Sequence, residues 1–399
     1  MLDVAILGQV AFGYSPFIDK NRSVSATRLT VFPLKPDAVP DAAQLLHAVG
    51  GVWPADGARV SLNIASESLL QDLLNAQPAA NVMIEIPAFM ACDPANTAAI
   101  TSLRAHGNLL LLKGRPLSEL PREVLPCFKY SVIDIADDRR SDGSKPPPGV
   151  ERNIPHVQAG VRTIAEMEQS FARGAEAVLG WPIDDAIQAG NAKARAGQPD
   201  MQAMIELIRQ VDAAEPIEKL ENTLKRDPSL AFKLMRYINS PAFGLRVEIS
   251  SFRHAIMMLG YKRLKRWVAL LLATASKDVN MKPVMFSAVR RGLLMEELGR
   301  ASSDEEMRSE LFICGVFSLL DRMFQQPFSE LLANIPVPER VQQALVDEAG
   351  PFQPFVHMVR AIENESLFDF REAADTLMMS VSEINRAQLR ALTAASQLE

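Results

Sequence analysis

Up to about Ile183, short apolar runs recur along the chain: residues 28–32, VSLNIA from Val60, VMIEI from Val82, NLLLL from Asn108, SVIDI from Ser131 and AEAVLG from Ala175. Runs of this length, separated by roughly 20 to 30 residues, predict parallel strands joined by crossover helices. After Gly190 the strand-like runs nearly vanish and helical periodicity persists. The simplest boundary lies between Asp184 and Pro199, in the polar AGNAKARAGQPD. It divides the chain into an α/β region over 1–188, a connector over 189–199 and a helical region over 200–399. SDGSKPPPGV, from Ser141 to Val150, is the clearest loop, because three successive prolines remove amide donors and stiffen the path.

Within the helical half, Asp227-Pro228 opens a helix, with the aspartate as cap and the proline at the first helical position. Leu230, Ala231, Leu234 and Ile238 follow at helical spacing, and the polar turn Asn239-Ser240-Pro241-Ala242-Phe243-Gly244 ends the run. Ser250 or Ser251 caps the next helix, whose apolar face is Phe252, Ala255, Ile256 and Leu259. Gly260 supplies its left-handed stop. A helical packing unit accounts for all of this without a catalytic group.

A chain of 399 residues has room for two or three domains, and 48% hydrophobic with 23% charged residues is ordinary for a folded soluble protein. The net charge of -6, spread without long blocks, gives no general attraction to nucleic acid or anionic lipid. The first residues lack the basic start and long apolar core of a secretion signal, and the run from Trp267 to Ala275 is too short to span a bilayer, so a soluble cytoplasmic protein is expected. Cys92, Cys127 and Cys314 are isolated and read as free thiols. The five histidines form no HxxxH, HExxH or His-Asp pair, and no phosphate-cradling glycine motif occurs.

NSPAFG, ISSFRHAIMMLG and the stretch from Leu264 onward resemble the HDOD domain, an all-helical relative of the HD phosphohydrolases found in bacterial signalling proteins. The resemblance spans about residues 196 to 399, and Asn239, Ser240, Gly244, Ala255, Leu259 and Gly260 carry its signature. In HD hydrolases a His-Asp pair inside a helix binds a metal. The resemblance sets Ser318-Leu319, within Phe312 to Asp321, in that place. A hydroxyl and an alkyl chain cannot replace an imidazole and a carboxylate as ligands. This half therefore reads as an all-α scaffold without HD chemistry.

Tyr14 to Asp19, VSLNIA and IEIP resemble three strands of the EAL domain, a modified α/β barrel that in active members hydrolyses cyclic di-GMP with two divalent metals. The resemblance covers about residues 8 to 183. Carried over by position, Asn63 and Glu85 match metal ligands, and Asp134 matches the acidic residue that ends a later strand motif. Thr27 stands where the first metal-binding glutamate is expected, and Lys113-Gly114 where paired aspartates are expected. Val132 replaces that motif's lysine, Ala159 and Arg162 replace two glutamates, and Leu179 replaces a glutamine. The implied fold is a degenerate, truncated TIM-like barrel. A full eight-unit barrel takes about 250 residues, so helices or whole strand–helix units should be trimmed.

Two neighbouring divalent cations need several hard oxygen ligands and surrounding negative charge. A hydroxyl and an ammonium in place of anions remove both, so no metal or other cofactor is expected. Lys113 itself reads as an ion-pair partner of Glu85 or Asp134, as a solvated lysine, or as a phosphate contact. Lys262, Arg263, Lys265 and Arg266 form the strongest basic amphipathic segment. A solvated helix face is its first reading, a partner surface its second, and nucleic acid or membrane its last. The leading functional reading is a noncatalytic signalling or regulatory scaffold that docks protein partners or a second copy of itself. Family resemblance links it to motility, biofilm or cyclic di-GMP signalling. The alternative is a catalytically inactive sensor that binds cyclic di-GMP; membrane and nucleic acid are not favoured partners.

Overall fold

The computed structural model describes residues 4–35, 40–138, 154–185, 199–225, 228–240, 249, 251–274, 276, 278–302, 304–333 and 335–396. β1 (Val10–Asp19) and β2 (Val24–Pro33) form an antiparallel hairpin that pairs Val10 with Pro33. Asp19 closes the turn by accepting from the Asn21 and Ser23 amides at 2.8 and 2.9 Å. β3 (Arg59–Ile64), β4 (Val82–Pro87), β5 (Leu110–Lys113), β6 (Phe128–Asp134), β7 (His156–Val161) and β8 (Ala177–Gly180) then add in parallel order. β8 returns antiparallel to β1, so eight strands close into a barrel.

Eight strands are present, so of the two expected kinds of trimming, helices or whole strand–helix units, the second does not occur. The short length is accommodated in the connections. β1 and β2 are joined by a tight turn, and residues 114–127, between β5 and β6, carry a 3-10 turn at Leu125–Cys127 and no α-helix. The described α-helices of the other connections are α1 (Ala42–Gly50), α2 (Glu67–Asn75), α3 (Ala88–Cys92), α4 (Thr97–Ala105) and α5 (Ile164–Ala172), and most of the β6–β7 connection lies outside the described residues. Their starts are chemically marked. Asp41 accepts from Ala43 at 2.7 Å and Ser66 from Leu69 at 3.3 Å, while Thr163 and Glu166 form a reciprocal capping box.

Nearly every position of β3 and β4 is buried, as in a strand covered on both faces. Alternation sorts the two faces. Ala26, Met83, Leu111, Val132, Val157, Ala159, Leu179 and Phe17 pack together in the barrel interior. The intervening Val60, Leu62 and Ile84 are equally buried on the opposite face, as are Leu69, Leu70, Leu73 and Leu74 of α2. Each fully buried leucine contributes about 1.5–3 kcal/mol relative to exposure.

The chain divides into two compact units. The first holds the described residues up to Asp185 together with Ala361–Ala374 and Met379–Arg386; the second holds the described residues up to Arg360, with Asp375–Met378 and the end of the chain from Ala387. The sequence reading placed all of 200–399 in one helical domain, whereas two of its segments are packed with the barrel. These come from α15 (Gln353–Glu363), α16 (Leu367–Leu377) and α17 (Val381–Ser396), once α6 (Pro199–Asp212), α7 (Ile217–Lys225), α8 (Pro228–Ile238), α9 (Phe252–Ala273), α10 (Lys282–Leu298), α11 (Glu305–Phe317), α12 (Leu320–Phe324), α13 (Phe328–Leu331) and α14 (Glu339–Leu345) are counted before them. Asn385 of α17 fastens the start of β1: its amide nitrogen donates to the Leu7 and Val10 carbonyls at 2.8 and 2.7 Å, and its oxygen accepts from the Phe12 amide at 3.3 Å.

In the second unit, Ser251 caps α9 by accepting from His254 at 3.1 Å. Gly260 lies within Phe252–Ala273 with non-helical φ 71° and ψ 168°, so the positive φ that glycine tolerates stops one helical run, as expected, and a second run follows directly across the kink. α10 and α11 cross at glycines: a Cβ on Gly315 would meet the Arg291 carbonyl at 2.5 Å, and one on Gly292 would meet Val316 at 2.4 Å. No helix among the described residues is long and apolar enough to cross a membrane.

Candidate functional site

The C-terminal ends of the parallel strands form the barrel mouth, the face that carries active sites in this architecture. A cavity of about 330 Å³ opens there; its lining includes Ser15, Arg28, Lys113, Asp134, Arg162, Trp181 and Glu365. Its floor is apolar, because Val132, Ala159 and Leu179 belong to the interior cluster. Trp181 forms a wall, donating to the Tyr14 carbonyl at 3.2 Å and meeting the Tyr14 ring edge-on at 5.4 Å.

The sequence reading set Thr27 in this site, and the pleat overturns that. Ala26 is in the interior cluster and Arg28 lines the cavity, so Thr27 between them faces the other side of β2, where it is buried. Arg28 is the residue delivered to the mouth. Its Nε and Nη2 donate to Glu85 Oε1 and Oε2, both at 2.9 Å, and Ser61 donates to the same Oε1 at 3.2 Å. The third nitrogen, Nη1, lies 3.6 Å from Glu365 Oε2. Glu365 in turn accepts from Ser15 Oγ at 2.5 Å. Burial alone would push the guanidinium's pKa down. Glu85 and Glu365, with Asp134 further off, outweigh it and hold the pKa above the ordinary arginine value.

Lys113 donates a hydrogen bond to neither Glu85 nor Asp134. Its Nζ donates to Asn63 Oδ1 at 2.7 Å, while Asn63 Nδ2 donates to Thr30 Oγ1 at 3.1 Å. Burial first and Arg28 second lower the Lys113 pKa, partly offset by Glu85 and Glu365. Gly114, with φ 80°, carries the chain away from β5. Asp134 is exposed at the end of β6, where its carboxylate caps the Ala136 amide at 2.9 Å. Arg162 stands at the rim and pairs with Asp184 at 2.7 Å.

Divalent metals do not fit this donor set. Both Glu85 oxygens are engaged by a guanidinium, the Asn63 oxygen by an ammonium, and two fixed cations occupy the space in which cations would have to be held. Among the described residues no group of three His, Cys, Asp or Glu side chains is placed to hold a metal ion.

In the helical unit, Asn239 uses both amide atoms on Ile249, donating to its carbonyl at 2.8 Å and accepting from its amide at 2.7 Å. Ser240 is half-buried, Ala255 is fully buried and Leu259 is half-buried. Gly244 lies outside the described residues. Ser318 follows the end of α11 instead of lying within a helix. Its hydroxyl donates to the Gly315 carbonyl at 2.7 Å and accepts from Arg291 at 3.1 Å, and Leu319 is buried in a non-helical link to α12. The basic segment is also internally engaged. Arg263 pairs with Glu305 at 3.0 Å, Lys265 with Asp212, and Arg266 with Glu296 at 2.7 Å while lying 4.1 Å over the Phe312 ring. The side chain of Lys262 lies outside the described residues. Intramolecular acids take up these three charges.

Arg28 and Glu365 are the charged pair at the mouth that the sequence reading missed. Arg28 had a local signal, an arginine at the start of an apolar strand run. Glu365 had none, since 350 positions separate it from Ser15.

With this geometry in place, the HDOD domain family matches residues 199–328. The chain is 24% identical over 319 residues to the cyclic di-GMP phosphodiesterase CdgJ of Vibrio cholerae serotype O1, covering 76% of this chain and 71% of that protein. It is 28% identical over 168 residues to the uncharacterized protein YuxH of Bacillus subtilis (strain 168), spanning 40% of each. Among solved structures, the EAL enzyme Bd1971 in its cGMP-bound form aligns with a TM-score of 0.32 at 14% identity, over 43% of this chain and 60% of that one.

Proposed function

We propose that this chain is a noncatalytic component of cyclic di-GMP signalling, in which a degenerate EAL-like barrel and an HDOD helical unit act by docking protein partners. The HDOD match and the similarity to a cyclic di-GMP phosphodiesterase support the pathway. The bidentate Arg28–Glu85 pair supports the loss of hydrolysis. Activation of water on two metals requires carboxylates whose oxygens face the ions, and here a fixed cation has claimed the carboxylate. Losing such electrostatic stabilisation costs on the order of 3–4 kcal/mol per element in the transition state. The test is to incubate the purified full chain with cyclic di-GMP and magnesium or manganese and to follow products by mass spectrometry. No linear dinucleotide is expected; metal-dependent turnover would reject the proposal.

A second reading, binding without cleavage, draws on Lys113 and Arg162 at the cavity. It requires phosphate neutralisation by cations that already hold Asn63 and Asp184. Calorimetry with cyclic di-GMP separates the two: heat of binding without product favours the sensor, and no heat leaves the docking scaffold.

A further inference from the structure

We propose that the Asn364–Glu365 turn is a tethered anionic plug in the barrel mouth, held by Arg28 and Ser15, so that Arg28 becomes accessible to an anion only when the turn lifts. The turn joins α15 to α16 and belongs to the same compact unit as the barrel. Glu363, Asn364 and Glu365 all line the mouth cavity. The Glu365 carboxylate accepts from Ser15 and lies against the one nitrogen of Arg28 that does not bond Glu85. It is therefore the counter-ion that occupies the guanidinium nitrogen Arg28 would otherwise offer to an anion from solution.

Three features make this a built seat. The backbone of the turn closes α15 in the left-handed manner, with the Glu365 amide donating to Ile362 at 3.2 Å, the Ser366 amide donating to Ala361 at 3.1 Å, and Glu365 itself at φ 53°. Ala214, Gln325, Glu348 and Met378 also adopt positive φ, so the conformation alone says little. Glu365 differs in that its side chain is carried into the mouth, where a glycine, the usual choice for that backbone, would leave Ser15 and the third nitrogen of Arg28 without this carboxylate. Opposite the turn, β1 presents Gly13: a Cβ there would lie 3.0 Å from Glu365 Cγ and 3.2 Å from the Ile362 carbonyl. Close approach of the turn to β1 thus depends on a residue without a side chain. Asn385 binds the same strand, and Arg371 of α16 donates to the Leu34 carbonyl just beyond β2.

This inference is independent of whether the barrel hydrolyses anything, and its readout is structural. Hydrogen–deuterium exchange would be followed by mass spectrometry on the full chain, comparing wild type with Glu365→Gln, Ser15→Ala and Gly13→Val. Arg28→Met is avoided as the primary variant because it strands the buried Glu85. The expected result is faster exchange at 361–374 and in the first half of β1, by roughly tenfold or more for Glu365→Gln, as suits a lost hydrogen bond to a charged group. Peptides from β4, β5 and the helical unit should stay unchanged. Gly13→Val should loosen the same peptides by displacing the turn while leaving every polar group in place. If Glu365→Gln and Gly13→Val both exchange at the wild-type rate at 361–374, the turn is not held by this contact and the plug is rejected. Uniform acceleration throughout the barrel would reject it equally, since that reports loss of the fold and not release of a latch.

Discussion

Arg28 lies between two carboxylates, and its energetic role depends on which of them is left behind when it is removed. Glu85 is buried with its side chain inaccessible, so Arg28→Met strands an uncompensated charge, a change that costs about 3–5 kcal/mol. Replacing both members, Arg28→Met with Glu85→Met, removes the stranded charge and should recover most of that loss. Urea midpoints of the two variants provide the check, and equal destabilisation of both would mean that the pair is not coupled. Asp321 gives the second residue-scale prediction. Burial first, opposed by Arg322 and more weakly by Arg291 and Arg360, raises its pKa, so the native state keeps the proton longer than the unfolded chain does. The resulting stabilisation is complete below the unfolded aspartate value near 3.9 and is lost as pH rises through the raised native value. Asp321→Asn does not titrate, so its stability relative to wild type should increase from about pH 4 to pH 7; a constant difference would contradict the shift. The candidate site was half legible at this scale. Asn63, Glu85, Lys113 and Asp134 do converge on the mouth strands, but Thr27 was read one residue out of step, and in a strand a single step exchanges one face for the other.

At the scale of elements, β7 was not among the apolar runs read as strands, because only Val157, Ala159 and Val161 are apolar there, alternating with His156, Gln158 and Gly160. Gln158, on the face of β7 opposite Val157 and Ala159, stays buried because its amide donates to the Ile133 carbonyl at 2.9 Å. The helical half was legible in the Ser251 cap and in Gly260, whose positive φ interrupts the helical path; the Asp227 cap lies outside the described residues. The ion pairs of the basic segment were hidden, since Asp212, Glu296 and Glu305 lie on other helices. The crossing of α10 and α11 makes a sharper prediction. Gly315 brings the two backbones so close that a methyl group would have to displace the Arg291 carbonyl, a backbone atom that cannot swing aside. Gly315→Ala should therefore destabilise the helical unit by about 1–3 kcal/mol. Thermal unfolding measures this, and a variant as stable as wild type would show that the helices separate at little cost.

For the whole molecule, the chain order misled the sequence reading most. Eight strands were hard to reconcile with so short a region, and the missing packing is supplied by residues 361–374 and 379–386, far along the chain. No pattern within residues 1–185 announces that Leu7, Val10 and Phe12 bond to an asparagine more than 370 positions away. Those contacts make the barrel dependent on the end of the chain. A fragment ending at residue 185 leaves these backbone groups of β1 without Asn385 and uncovers Gly13 and Ser15, so it should lose the cooperative thermal transition of the barrel. Asn385→Ala in the full chain removes the side chain but keeps the covering helices, and should retain cooperativity while lowering stability by about 1–3 kcal/mol. The pair of measurements separates covering from bonding: a fragment that melts as the intact barrel does would show that the C-terminal segments merely rest on a self-sufficient fold, and the mouth would then be open by default.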